Sequence, residues 1–152
     1  MYINTSSDYY KLFNCFIQKE WEQAYVSFFE VDNLISTFKI ECQYLAKKIN
    51  PYYDRFFIEC EDLICFDLRG NKILNLHTLF NQYSVIRNVK LENEKVFISL
   101  NKKNEEPRVE VIQFSCKEIR IFEQHRKEIK LQQLLDICSD YSDEDNERLK
   151  WR

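Results

Sequence analysis

Gly70 is the only glycine in 152 residues, and that scarcity constrains the chain more than any motif it carries. An average chain holds about 7% glycine, so roughly ten would be expected at this length. Glycine supplies positive φ and lets a backbone come close to a phosphate. One glycine cannot build a G-x-G-x-x-G dinucleotide turn, a G-x-x-x-x-G-K-[ST] phosphate loop or a G-x-S-x-G nucleophile elbow. Alanine (Ala24, Ala46) and proline (Pro51, Pro107) are also scarce, the pattern an AT-rich coding sequence produces. The exclusion of glycine-loop sites holds under either cause.

The length fits one domain. Hydrophobic residues are 45% and aromatics 15%, and each ring can bury roughly 150–250 Å². That mix is too apolar for a disordered chain. Charged residues at 31% interrupt every apolar run well short of the ~18 residues that a bilayer span needs. The first residues, MYINTSSDYYKLF, lack the basic and apolar regions of a secretory signal, so the expected location is the cytoplasm. A net charge of −3 and a pI near 5.5 argue against nucleic acid, which wants a basic footprint. Arg126, Lys127 and Lys130 read as a solvated helix face.

Six cysteines stand at 15, 42, 60, 65, 116 and 138. An even count suits a disulfide framework only in a secreted protein. No C-x-x-C occurs, and most of these residues fall on apolar stripes. They read as buried thiols behaving as small hydrophobes. Their spacing with His77 and His125 makes no zinc set. No cofactor, metal or small-molecule substrate is expected.

Periodicity predicts an α+β fold. From Ser6 to Ile49 the chain reads as helix, with N-cap candidates at Thr5, Ser6, Ser7 and Asp8. Trp21, Tyr25, Phe28, Val31, Ile35, Phe38, Cys42, Leu45 and Ile49 recur at spacings of three and four, as one helix face does. One rod over that length would reach roughly 65 Å, so a break is expected near Lys19-Glu20 or at 30–33. The result is an N-terminal helical pair over 6–49. Trp21, Phe28, Phe38 and Leu45 would be buried against a sheet. From Phe56 the period changes to two, and 56–123 reads as an antiparallel meander of about five or six strands with one wet face. Arg69 to Lys72 makes a turn, with Gly70 at the position needing positive φ. The stretch Ile73 to Leu76 follows as a strand or a short helix. Asn93-Glu94 turns one strand into the next. A C-terminal helix is expected over 127–141, then an acidic tail over 142–152.

Catalytic patterns are thin. His77 and His125 would form an acid–base pair only if they shared a cleft. Glu128-Ile129-Lys130 matches the E-x-K fragment of metal-dependent nucleases, but reads as a helix start. Asp62 and Asp67 lack a third ligand. The most distinctive surface feature is acidic: Asp140, Asp143, Glu144, Asp145 and Glu147 place five carboxylates in eight residues. Tyr141 lies among them and Trp151 close behind. These seven residues are the candidate partner-binding set, since an aromatic beside a charge run suits an interface hot spot. The chain therefore reads as a cytoplasmic protein–protein binding module for one basic protein partner. The expected type is a dedicated inhibitor, such as an immunity protein or antitoxin against a bacterial toxin. The alternatives are a small hydrolase or nuclease using His77 and His125, or a structural subunit assembling through its N-terminal helix.

The thiol reading is directly testable. A thiol reagent should find few fast sites in the native protein and all six cysteines after denaturation. Disulfides present in freshly purified material would overturn both the reduced state and the cytoplasmic assignment.

Overall fold

The computed structural model describes residues 3, 5–17, 24–80, 84–102 and 109–139. Strand-forming residues crowd the segment from Tyr25 to Glu41: Tyr25, Val26, Phe28, Val31, Ile35, Thr37, Phe38 and Ile40. β-branched and aromatic side chains fit a pleated, half-buried surface. The segment accordingly forms two strands, β1 (Tyr25–Asp32) and β2 (Ile35–Glu41), not the helical pair that its spacing predicts. The turn falls at Asn33-Leu34, where Asn33 adopts φ 55°. The five strand residues expected on the helical stripe divide between two faces, Phe28, Val31 and Phe38 on one and Tyr25 and Ile35 on the other. Phe28 and Phe38 are buried, whereas Val31 and Ile35 are 58% and 37% exposed.

Among the described residues helix survives in short pieces. α1 (Ser6–Asn14) begins at Thr5, whose Oγ1 accepts the Asp8 N–H at 3.2 Å. α2 is Gln43–Ala46 and α3 is Leu76–Leu79. The last helix, α4, covers 131–139. It starts later than expected because Glu128–Ile129 is a strand, β9. Trp21, Lys19-Glu20, residues 140–141 and the tail 142–152 lie outside the described residues.

The remaining strands are β3 (Arg55–Glu61), β4 (Ile64–Phe66), β5 (Ser84–Glu92), β6 (Lys95–Lys102), β7 (Val109–Ser115) and β8 (Glu118–Phe122). The sheet is thus larger than the expected meander and starts 31 residues before Phe56, at Tyr25. Among the described residues nine strands pair antiparallel in the order β4-β7-β6-β5-β1-β2-β3-β8-β9. Asn93 and Glu94 both take positive φ, 49° and 62°. That pair of left-handed residues is the two-residue turn whose twist matches a hairpin, as the sequence predicts. Gly70 at φ 85° also sits in its expected turn.

A sheet this long must cover its apolar face, and it does so by folding over. β3 pairs with β8 through Cys60↔Ile119 and Glu61↔Glu118. Beyond a two-residue step on each strand, β4 pairs with β7 in the same register, through Ile64↔Ser115 and Cys65↔Phe114. One ribbon therefore passes from a layer of β1, β2, β3, β8 and β9 into a layer of β5, β6, β7 and β4. Strands that switch layers at a bend are how such packings turn their corners. The far side is joined where Tyr25 of β1 pairs with Val85 of β5.

Side chains from both layers converge between them. Val26, Phe38 and Ile58 from one layer surround the same small void of about 10 Å³ as Ile86, Ile98 and Phe114 from the other. α1 and the turn after it enter there as well: Leu12, Phe13 and Phe16 are buried, and Phe13 meets the Phe114 ring edge-on at 4.8 Å. Leu45 is fully buried, as expected.

Phe38 is the central ring, 5.5 Å from Phe28 and 4.9 Å from Phe80. Replacing it by Ala should cost about 3–5 kcal/mol in urea unfolding. A loss below about 1 kcal/mol would show that the two layers do not close over it.

Candidate functional site

The burial of Phe56, Ile58 and Cys60 on β3, and of Ile119 and Ile121 on β8, puts their alternate neighbours on the outer face. The registers then set those neighbours in rows across β1, β2, β3 and β8. One row runs Asp32, Ile35, Glu61, Glu118, and the next Glu30, Thr37, Glu59, Arg120. Five of these eight residues are carboxylates. Three of them, Glu59, Glu61 and Glu118, line a cleft of about 370 Å³ together with Asn33, Leu34, Ile35 and Arg120. The hairpin tip beside it is apolar and open, with Leu34 66% exposed.

Glu61 and Glu118 stand directly opposite one another. Like charges in that position destabilise a sheet. The Glu118 carboxyl is raised above the usual range, first by a hydrogen bond with Glu61, then by partial burial and by the charge of Glu61. Arg120 and Lys117 pull it down and are outweighed. The Lys117 Nζ lies 3.6 Å from Glu61 Oε1.

The lower part of the face is closed by the turn after β8. The guanidinium of Arg126 stacks over the Phe57 ring at 3.9 Å, a cation–π contact, and approaches Glu30 at 4.0 Å. Buried Glu123 holds that turn, its Oε1 accepting the Lys127 N–H at 2.8 Å. Burial raises the Glu123 carboxyl, but hydrogen bonds from Lys127, Tyr53 and His125 and the charge of His125 together hold it below the usual range.

The seven residues expected to bind a partner, Asp140, Tyr141, Asp143, Glu144, Asp145, Glu147 and Trp151, lie outside the described residues. His77 packs edge-on against Phe28 at 4.5 Å, and His125 lies against Tyr53 at 5.0 Å. No hydrogen bond or ring contact joins the two. Glu128 is on strand β9, not at a helix start, and its carboxylate lies 4.0 Å from Arg120. Asp67 accepts the N–H groups of Arg69 and Asn71, both at 2.9 Å, and so shapes the Gly70 turn. Among the described residues no group of three His, Cys, Asp or Glu can hold a metal ion.

A larger cleft, about 550 Å³, opens between the 67–79 loop and β7. Two polar groups on its rim already serve the fold: Asp67 shapes its turn, and Asn75 Oδ1 caps α3 by accepting the Thr78 N–H at 3.1 Å. The acidic face is therefore the better candidate. Its residues escaped the sequence reading because Glu59 and Glu61 look like ordinary wet-face positions until the register sets Glu118 and Arg120 beside them. Comparison with protein-family models, curated proteins and solved structures finds no match to this chain.

A raised folded-state carboxyl stabilises the fold below the ordinary glutamate range and loses that effect as pH rises through its folded value. Glu118→Gln keeps a hydrogen-bonding group without the charge. It should flatten the fall in stability across that window, read as urea midpoints against pH. Glu123 acts with the opposite sign and at lower pH, so the two effects separate. An unchanged profile in Glu118→Gln would show that the pair is not coupled.

Proposed function

We propose that the protein is a binding module whose outer sheet face, at the tip of the β1–β2 hairpin, docks a basic protein partner. The observation that supports this is the concentration of Glu30, Asp32, Glu59, Glu61 and Glu118 in two adjacent rows beside an exposed apolar tip. Cross-strand carboxylates cost stability, so a fold that keeps them side by side favours a cationic guest. An arginine- or lysine-rich surface would relieve the repulsion and meet Leu34 and Ile35 with its own apolar groups. Complementary charge of this kind speeds encounter and rejects wrong partners more than it adds affinity. An inhibitor of one dedicated partner, such as an immunity protein or antitoxin facing a basic toxin, is the type of module we infer. The carboxylates between Asp140 and Glu147 carry the same sign and belong to the same proposal.

The test is a titration of isotope-labelled protein with a peptide that carries arginines around a central leucine. Chemical shifts should move most at Leu34, Ile35, Glu59, Glu61 and Glu118. Binding should weaken as salt rises from about 0.01 to 0.15 M, where the Debye length falls from roughly 30 to 8 Å. The double change Glu59→Lys, Glu61→Lys should abolish it. Leu34→Asp should weaken it about tenfold, equivalent to ~1.4 kcal/mol. Shifts spread over every acidic site, or unchanged binding in the double variant, would sink the proposal. His77→Ala, His125→Ala should bind as wild type if the fold is retained. A loss of biological activity in that variant with intact folding would move a hydrolase to first place.

A further inference from the structure

The edge of β7 is longer than the strand that covers it. β6 pairs with β7 from Val109 to Phe114. On the other side β4 reaches only Gln113, Phe114 and Ser115. The chain leaves that line because Asp67 gathers a turn: its N–H donates to the Asn71 carbonyl at 2.9 Å, and Gly70 at φ 85° closes the bend. Among the described residues no strand lies beside β7 at 109–112 on that side. Two registers fix the direction of its unused backbone groups. Asn93-Glu94 is a two-residue turn, so Glu92 and Lys95 exchange hydrogen bonds, and bonded pairs recur at every second residue. Lys95 and Phe97 then face β5, while Val96, Ile98 and Leu100 bond Phe114, Ile112 and Glu110. Gln113 and Val111 consequently turn their N–H and C=O groups away from β6. On the far side the Cys65 carbonyl accepts the Ile73 N–H at 2.8 Å. Ile64 and Phe66 are therefore the residues that bond Ser115 and Gln113, which is the same parity.

We propose that the cleft of about 550 Å³ between β7 and the 67–79 loop takes an extended peptide segment of a partner protein, added to the sheet beside β7 in line with β4. The Val111 N–H and C=O point along the sheet toward this cleft and bond no partner among the described residues. An open edge of this kind is a template for another strand. Main-chain bonds then supply affinity, and pockets for alternate side chains supply specificity. Four residues of added strand span about 13 Å. The peptide residue opposite Val111 exchanges both hydrogen bonds with it. The next residue, opposite Ile112, sends its side chain to the inner side, where Ile112 and Leu79 are buried and line the cleft. That position selects an apolar side chain. Leu68 and Leu74, on the loop that walls the cleft, are 70% and 86% exposed and extend the apolar surface outward. Because the loop stands opposite the edge, the cleft admits a single strand and not the sheet edge of a second copy. β7 belongs to the layer that does not carry the acidic face, so this inference is independent of the basic-partner reading.

The test titrates the isotope-labelled full-length protein with two capped, uncharged peptides, Gln-Thr-Val-Thr-Val-Thr-Gln and the same sequence with leucine for valine. Without charge they have no attraction to the acidic rows. At least one should bind at millimolar concentration and shift the amides of Glu110, Val111, Ile112, Leu68 and Ile73. At saturation the Val111 amide should exchange its hydrogen about tenfold more slowly. Methylating the peptide nitrogens one at a time should weaken binding about tenfold at alternate positions and little between them, since only every second N–H meets β7. Val111→Pro removes an N–H that β6 does not use, a change an edge strand tolerates, so this variant should fold and lose binding. Where it does not fold, the methylation series on the wild-type protein decides. Failure of both peptides to bind, equal losses at every methylated position, shifts centred on Glu59 and Glu61, or a peptide-free dimer that protects the Val111 amide would each overturn the proposal.

Discussion

The unbroken register between β3–β4 and β7–β8 is the constraint on which the rest of the architecture depends. Glu61↔Glu118 and Ile64↔Ser115 belong to one antiparallel ribbon that bends at 62–63 and 116–117. The inward alternation changes phase by one residue at the bend, on both strands together, so the pairing resumes with apolar residues again facing in. Ile58, Cys60 and Cys65 stay on the apolar side, and so do Ile112, Phe114, Ile119 and Ile121. A slip of one residue would turn those side chains out to water. The same bend sends the second half of the chain back over the first. Each half repeats one plan: a bulged strand, a hairpin, a third strand and a short strand donated to the other layer. The bulges fall between Phe28 and Glu30 in one half and between Ile86 and Asn88 in the other. A bulge sharpens strand twist, so both long hairpins carry the curvature that folding over requires.

The scarcity of glycine did not restrict turning as strongly as it restricted phosphate-loop chemistry. Asn33, Asp62, Asn93, Glu94 and Arg126 all hold positive φ beside Gly70. Asn and Asp tolerate that region because their short side chains can bond the local backbone. Glu94 and Arg126 are less natural occupants. Arg126 is held there by the turn that Glu123 organises and by its stacking on Phe57.

How legible the chain was depended on which signal each segment carried. The hairpin at Asn93-Glu94 was readable because Val96, Ile98 and Leu100 alternate cleanly with polar partners. The first hairpin was not, since aromatics at 25, 28 and 38 happen to match a helical period while their residue types favour strands. Length misled as well: two strands of eight and seven residues joined by a two-residue turn imitate a continuous amphipathic run. The candidate site was less legible still. A carboxylate row is a property of register, and register follows from long-range pairing, not from any local pattern. Glu61 and Glu118 are far apart in sequence and become neighbours only when β3 meets β8.

That pairing links the fold to the proposed function. The ribbon that rolls the core also sets the carboxylates of β3 and β8 edge to edge on the outside, so the acidic face cannot relax by a shift of register without exposing Cys60, Ile119 and Ile121. The core thus holds the outer charges in place against their own repulsion. A face strained in this way has two means of relief: proton uptake, which the raised Glu118 carboxyl shows, or a cation. Protons are scarce at neutral pH, whereas a surface of fixed guanidinium groups supplies several charges at once in a constant geometry. Arg120, Lys117 and Arg126 already offer partial compensation from within. Lys117 reaches Glu61, Arg126 reaches Glu30 and Arg120 ends the row that begins at Glu30, so under the proposed reading a partner's charges add to a compensation the fold supplies only in part.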